Sequence, residues 1–177
     1  LAWQPKKKRK QRKDASRLSL NVLTPGTSFN TTGSAGNFDE RRAIYEAIRR
    51  SGIFSGQEEA IKWVLRGTVR NITSFRQRMD HVQNYPLREG LVDRYLADLR
   101  QTSLKTKHPE LRELIGANTD ISLFEALERL TGQFSEARWK AYASECYSLA
   151  WELRRRFIEC CLPFVDADLF ILDEFQR

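Results

Sequence analysis

Two acids at the end of the chain carry the strongest chemical suggestion. Asp173 and Glu174 follow Leu169-Phe170-Ile171-Leu172, four consecutive apolar residues with Asp168 ahead of them. A short apolar run of this kind reads as a fully buried strand, and such strands belong in parallel sheets covered on both faces. Open α/β sheets bind their ligands at the carboxyl ends of the strands. A carboxylate there can hold Mg²⁺ beside nucleotide phosphates, and a second acid can orient or deprotonate water. The same pair also reads as nothing more than a polar cap on a buried strand.

Two further stretches could contact phosphates. Lys6, Lys7, Lys8, Arg9 and Lys10 open a run in which residues 1–17 hold eight basic side chains against Asp14. That excess equals the net charge of the whole chain, +7, so the remainder is neutral. A polybasic tail with nothing to bury is solvated, or neutralises nucleic-acid phosphates without reading sequence. Lys-Lys-Lys-Arg-Lys also fits a nuclear-localisation signal. The second stretch is Thr24-Pro25-Gly26-Thr27, which follows the alternating Leu18, Leu20, Val22 and Leu23. Its hydroxyls and backbone N–H groups suit phosphate oxygens; it is equally a turn after a strand.

The elements that must position these residues are mostly helical. Asn37 with Glu40, and Ser55 with Glu58, have capping-box spacing. Ile44, Tyr45 and Ile48 mark one helix, ended by Ser51-Gly52, and Ile61, Val64 and Leu65 a second. Ile72, Phe75, Met79 and Val82 mark a third, and Leu87, Leu91, Tyr95 and Leu99 a fourth beyond Pro86. Shorter helices are predicted near 109–115 and 121–130, with Phe124, Leu127 and Leu130 facing inward in the second. The longest helix is predicted from about Ser135 to Leu162, on the stripe Trp139, Tyr142, Cys146, Leu149, Leu153, Phe157 and Cys160; Pro163 stops it. Arg154-Arg155-Arg156 is expected to form a solvated face. Arg41, Arg42, Lys62, Arg66, Arg76 and Arg78 are expected to be exposed and balanced by acids.

Composition excludes several classes. The chain has 177 residues, 41% of them hydrophobic and 30% charged, which is ordinary for one globular domain. No apolar run reaches the roughly 18 residues of a membrane span, and no partnership with a membrane is expected. Cys146, Cys160 and Cys161, with only His81 and His108 to join them, lack zinc spacing and read as buried apolar residues in a reduced, cytoplasmic setting. There is no G-x-S-x-G elbow, no H-E-x-x-H helix and no phosphate loop, since no glycine is followed by lysine.

The run Leu169 to Arg177, with Asp173-Glu174-Phe175-Gln176-Arg177, resembles motif II (Walker B) of superfamily 2 helicases, in a bacterial Swi/Snf-like and DEAD/DEAH-like group that carries D-E-F-Q-R. Arg154 to Phe157 with Val165 to Asp168, Leu23 to Phe29 with Glu40-Arg41, and Leu65 to Asn71 are similar to the same proteins, in one order along the chain. The bacterial resemblance argues against a nuclear-localisation signal. It implies that Thr24, Pro25, Gly26 and Thr27 are a motif Ib-like loop touching a bound strand, and that Asp173 binds Mg²⁺ with the nucleotide. It further implies that Glu174 acts on the attacking water and that Gln176, where relatives carry Asp or His, couples the site to a second lobe. The phosphate loop would lie upstream of Leu1, a residue that suggests an internal linker, and motif VI and the second lobe downstream of Arg177. The expected fold is therefore mainly α: a helical insertion flanked by two short strands of a parallel α/β helicase lobe.

The chain divides into a basic tail or linker (1–17), a strand with the motif Ib-like loop (18–36), the helical insertion (37–162) and a strand carrying motif II (163–177). Mg²⁺ and ATP are the expected cofactors of an intact parent, and nothing should bind tightly to this chain alone, which is expected to be inactive without a phosphate loop. The expected partners are nucleic acid, with DNA favoured, and the remaining lobes of the same polypeptide. The other reading left open is a stand-alone helical interaction module with a basic nucleic-acid-binding tail.

Overall fold

A computed structural model describes residues 20–23, 36–67, 69–80, 86–104, 113, 115–116, 120–141, 143–164 and 169–172. These residues are mainly α-helical. In chain order the helices are α1 (Phe38–Arg50), α2 (Glu58–Arg66), α3 (Ile72–Asp80), α4 (Leu91–Gln101), α5 (Leu123–Gly132), α6 (Glu136–Ala141) and α7 (Ala143–Cys161), followed by a 3₁₀ turn at Leu162–Phe164. Two four-residue segments, β1 (Leu20–Leu23) and β2 (Leu169–Leu172), pair in parallel, with Leu20 opposite Leu169 and Leu23 opposite Leu172.

Local chemistry explains most helix boundaries. At α1 the Asn37 side chain accepts from the Glu40 N–H at 3.0 Å, and the Glu40 carboxylate accepts from the Asn37 N–H at 2.8 Å. This reciprocal box satisfies two of the donors a helix start leaves open. Asp39 and Glu40 in the first turn and Arg49 and Arg50 in the last match the helix dipole. The box expected from Ser55 and Glu58 does not form. Gly56 turns the chain at φ +82° and Gln57 becomes the N-cap of α2, without a side-chain cap bond. The Gln57 side-chain oxygen instead accepts from the Thr131 hydroxyl at 2.5 Å, tying the start of α2 to the end of α5. Ser122 caps α5 through the Glu125 N–H at 3.1 Å. Just outside that cap, Ser103 and Ser122 form an antiparallel bridge, with Leu104 N–H to Ile121 C=O at 2.8 Å.

The core forms around α7, whose most extensive contacts are with α2 and α4. Cys146, Leu149, Leu153, Phe157 and Cys160 are buried at three- and four-residue steps, the stripe read from the sequence, with Tyr142 outside the described residues. At about 1.5 Å per residue α7 is about 28 Å long, enough to touch α1, α2, α4 and α5 in turn. Tyr95 of α4 is wholly buried, packs edge-on against Phe157 at 5.2 Å and donates its hydroxyl to the Leu153 carbonyl at 3.0 Å. A buried hydroxyl without such an acceptor would cost about 1–3 kcal/mol. On α3, Phe75 and Met79 face the core as expected, and Val82 lies outside the described residues. Phe124 is only partly buried, against Phe54 at 5.4 Å. Among the described residues no helix is long and apolar enough to cross a membrane.

The three cysteines are buried. Burial pushes the Cys146 thiol up to about 12 and the Cys160 thiol up to about 11, and raises Cys161. The thiolate is the reactive form, so at pH 8 the native chain should resist iodoacetamide and label at all three cysteines only in denaturant. The same shifts set a sign for stability. Below about pH 9 folded and unfolded states both keep the thiol protons. Between pH 9 and about 11–12 the unfolded state loses them first, so stability should fall as pH rises. Rapid native labelling at pH 8, read by mass spectrometry, would contradict the buried placement.

Candidate nucleotide and nucleic-acid site

The parallel register places Leu23 beside Leu172, so the carboxyl ends of β1 and β2 are adjacent. The residues that follow, Thr24, Pro25, Gly26 and Thr27 after β1 and Asp173, Glu174 and Gln176 after β2, lie outside the described residues, as do Lys6, Lys7, Lys8, Arg9 and Lys10. Among the described residues no group of histidine, cysteine or acidic side chains could hold a metal ion.

What the structure does build is a joint between the start of α1 and α7. Glu40 and Arg154 are 5% and 3% exposed, and Arg154 grips the Glu40 carboxylate with Nε at 2.8 Å and Nη2 at 3.1 Å. This fork-on-carboxylate geometry is the strongest form of ion pair. It joins the first turn of α1 to α7 across most of the sequence, while the same carboxylate caps Asn37. Gly36 completes the joint: at φ +83°, a Cβ there would overlap the Glu40 carboxylate and the Arg154 guanidinium. Glycine is therefore required twice over, by backbone conformation and by space. Arg41 donates from Nε to the Gly36 carbonyl at 3.1 Å and from Nη1 to the Arg66 carbonyl at 2.5 Å, binding the end of α2 to the start of α1.

Several basic residues expected at the surface are thus interior. Arg154 is not part of a solvated face; Glu40 supplies the counter-charge that makes its burial affordable. Arg41 is buried, and desolvation lowers its guanidinium pKa. Lys62 is buried too, with its ammonium on Asp80 and on Glu59 at 2.6 Å and above the Tyr45 ring. Burial pulls the Lys62 pKa down, and the hydrogen bonds to Asp80 and Glu59 outweigh it, so the group stays charged. Glu46, wholly buried on the opposite side of α1, is held below the ordinary carboxylate value: desolvation pushes it up, and the Arg49 and Arg50 hydrogen bonds more than compensate. No periodicity announces Glu40–Arg154 or Lys62–Asp80, whose partners lie on different helices; Glu46 with Arg49 and Arg50, and Lys62 with Glu59, are three- and four-residue neighbours on one helix.

The segment Leu65 to Asn71 forms the turn from α2 to α3, with Thr68 outside the described residues. Arg66 stacks over Trp63 and Trp139, its guanidinium carbon 5.1 and 4.4 Å from the ring centroids. It also donates to the Val69 carbonyl at 2.7 Å and the Arg70 carbonyl at 3.2 Å. Here the arginine staples a turn and closes one end of the core.

A polar groove of about 370 Å³ runs between α4 and α7, lined by Arg94, Asp98, Gln101, Arg156, Glu159 and Cys160 among others. Its charges are largely spent on one another. Arg156 holds Asp98 with both arms and reaches Glu159 at 2.5 Å, and the Asp98 bond raises the guanidinium pKa. With Cys160 pushed up to about 11, its thiol stays protonated at neutral pH and is a poor nucleophile there. Compared with protein-family models, with curated proteins and with solved structures, the chain matches none.

Proposed function

We propose that the chain belongs to the first motor lobe of an ATP-dependent, nucleic-acid-stimulated helicase or translocase of the superfamily 2 type, working in the cytoplasm on DNA. The observation that carries this is the ordered set of similar segments: Leu23 to Phe29, Leu65 to Asn71, Arg154 to Asp168, and Leu169 to Arg177 with its D-E-F-Q-R. The parallel pairing of β1 with β2 supports it, because strands of a motor lobe run parallel and carry their ligands at the carboxyl ends. In this reading the two strands belong to a larger α/β sheet, and residues 37–162 are a helical insertion between its motif Ib-like loop and motif II.

The roles follow from side-chain chemistry. Asp173, a hard oxygen donor, suits Mg²⁺, which when bound with ATP neutralises charge on the phosphates. Glu174 orients or deprotonates the attacking water. Gln176 relays the state of the site to the second lobe through hydrogen bonds, since an amide carries no charge. Thr24, Pro25, Gly26 and Thr27 contact the backbone of the bound strand through hydroxyls and free N–H groups, and the basic residues 6–10 add sequence-blind attraction. The other lobes of the same polypeptide supply the phosphate loop and the arginine of motif VI.

One observation favours a second reading, a self-sufficient helical interaction module with a basic tail. The described helices enclose their own core around α7, with Leu149, Leu153 and Phe157 buried among α1, α2, α4 and α5. The reading frame and an ATPase assay separate the two. The motor reading expects coding sequence on both sides, with a Gly-Lys-Thr/Ser loop upstream, and no ATP turnover by the 177 residues alone. A frame confined to these residues overturns it.

A further inference from the structure

Positive charge gathers at one corner of the helical body. Phe38, in the first turn of α1, is braced edge-on by Phe75 of α3 with ring centroids 5.8 Å apart. Two arginines bracket its ring: Arg78 of α3, 3.7 Å from the centroid, and Arg42 of α1, at 5.8 Å. A guanidinium stacked on an aromatic ring keeps its in-plane N–H donors available while losing little further freedom on binding, a good arrangement for phosphate oxygens. Arg78 is exposed and has no acidic partner among the described residues; the same holds for Arg70, in the turn just before α3. The acid beside Arg42, Asp39, is highly exposed and 3.7 Å away, a separation at which solvent weakens an ion pair. Behind them Arg66 gives its hydrogen bonds to carbonyl oxygens and not to a carboxylate, so its charge also adds to the field.

Several other arginines are neutralised by acids, while Arg88, Arg94 and Arg100 are exposed without an acidic partner among the described residues but lie on or just before α4. Arg49 and Arg50 share the Glu46 carboxylate, Arg129 is held by Glu125, and Arg155 by Glu152. The corner also sits at the start of the described helices, since Phe38 follows Gly36 by two residues.

We infer that this corner, with Arg70 and Arg78 as its outward donors and Phe38 and Arg42 supporting Arg78, is a contact surface for the phosphate backbone of single-stranded nucleic acid. Arg70 lies in the turn before α3 and Arg78 near the end of that helix, so the two donors are carried by one continuous segment. Phe38 is already covered by Arg78 and Phe75, so the surface offers no open ring for a base and should not read sequence. The inference does not rest on the motor reading; a stand-alone module would use the same surface.

The test uses the full 177-residue chain with residues 6–10 changed to alanine, so that the tail does not mask the body. Binding of a labelled oligothymidylate of about 20 nucleotides is followed by fluorescence anisotropy across a salt series. Single-strand binding changes by a log–log salt slope of about 0.7 per neutralised phosphate. Arg70→Ala with Arg78→Ala should therefore flatten the slope by about 1.4 and weaken binding roughly 20-fold at 0.1 M salt. Lysines at both positions should keep most of the slope. Both sites are exposed, so the melting temperature should fall by no more than the few degrees that loss of the Arg78 stack on Phe38 costs. Arg100 provides the control: it also stacks on a ring, Phe124, 4.5 Å from its centroid, but near Phe54, past the other end of α1. Arg100→Ala should leave binding unchanged. Absence of binding by the tail-neutralised parent, an unchanged slope in the double variant, or an equal loss in Arg100→Ala overturns the proposal.

Discussion

Replacing Arg154 with alanine is expected to lower the unfolding free energy by about 3–5 kcal/mol, the usual cost of stranding one partner of a buried ion pair. For a chain of this size that corresponds to a fall of about 10 °C in melting temperature. The size follows from geometry. Glu40 is 5% exposed and Arg154 3%, so neither can recover its hydration when the other is removed. The carboxylate left behind would still accept from the Asn37 N–H, but one neutral donor does not replace a guanidinium fork. Glu40→Gln with Arg154→Met should cost much less than Arg154→Ala, because it removes both charges, fills the volume and keeps a glutamine able to close the capping box. Urea unfolding of the single and double variants measures the coupling. A loss below about 1 kcal/mol for Arg154→Ala would mean that water reaches the pair, as it does at surface salt bridges.

Glu174→Gln, made in the intact polypeptide of the motor reading, is expected to lower nucleic-acid-stimulated ATP turnover by on the order of 10²-fold or more. The amide keeps the shape of the side chain and loses the capacity to accept a proton from water. Nucleotide binding should survive, because the phosphates and Mg²⁺ are held elsewhere. Asp173→Ala should behave differently and weaken Mg²⁺–nucleotide binding together with turnover. Steady-state ATPase rates beside fluorescent-nucleotide binding for the two variants check this directly. Near-wild-type turnover in Glu174→Gln would leave Asp173 and Glu174 as a polar cap on a strand.

The sequence alone determined most of the described helices and their inward faces; Leu87 lies before α4 and not on it, Phe124 is only half-buried, and the helix expected near 109–115 lies largely outside the described residues. The stripe from Trp139 through Cys146, Leu149, Leu153 and Phe157 to Cys160 is a one-dimensional pattern, and every described member of it is buried. The Asn37–Glu40 box was legible for the same reason, since its partners are three residues apart. The absence of a phosphate loop and the D-E-F-Q-R run were also read directly from the chain. The described structure adds no geometry for Asp173 or Glu174, and the α/β lobe around them belongs to the proposal.

Only the tertiary structure decided the fate of the charges. Ser55 and Glu58 had capping spacing, yet Gln57 takes the cap position, and its side chain accepts from Thr131 on α5. Arg154, Arg155 and Arg156 are identical in type and adjacent. One is buried on Glu40, one lies on the surface with Glu152, and one grips Asp98 at the edge of a groove. Sequence neighbours on a helix point about 100° apart. Which of those directions meets a carboxylate depends on where other helices cross, and no local pattern encodes that. Gly36 shows the same limit: its need for an absent side chain comes from Glu40 and Arg154 arriving together, and Arg154 is more than a hundred residues away.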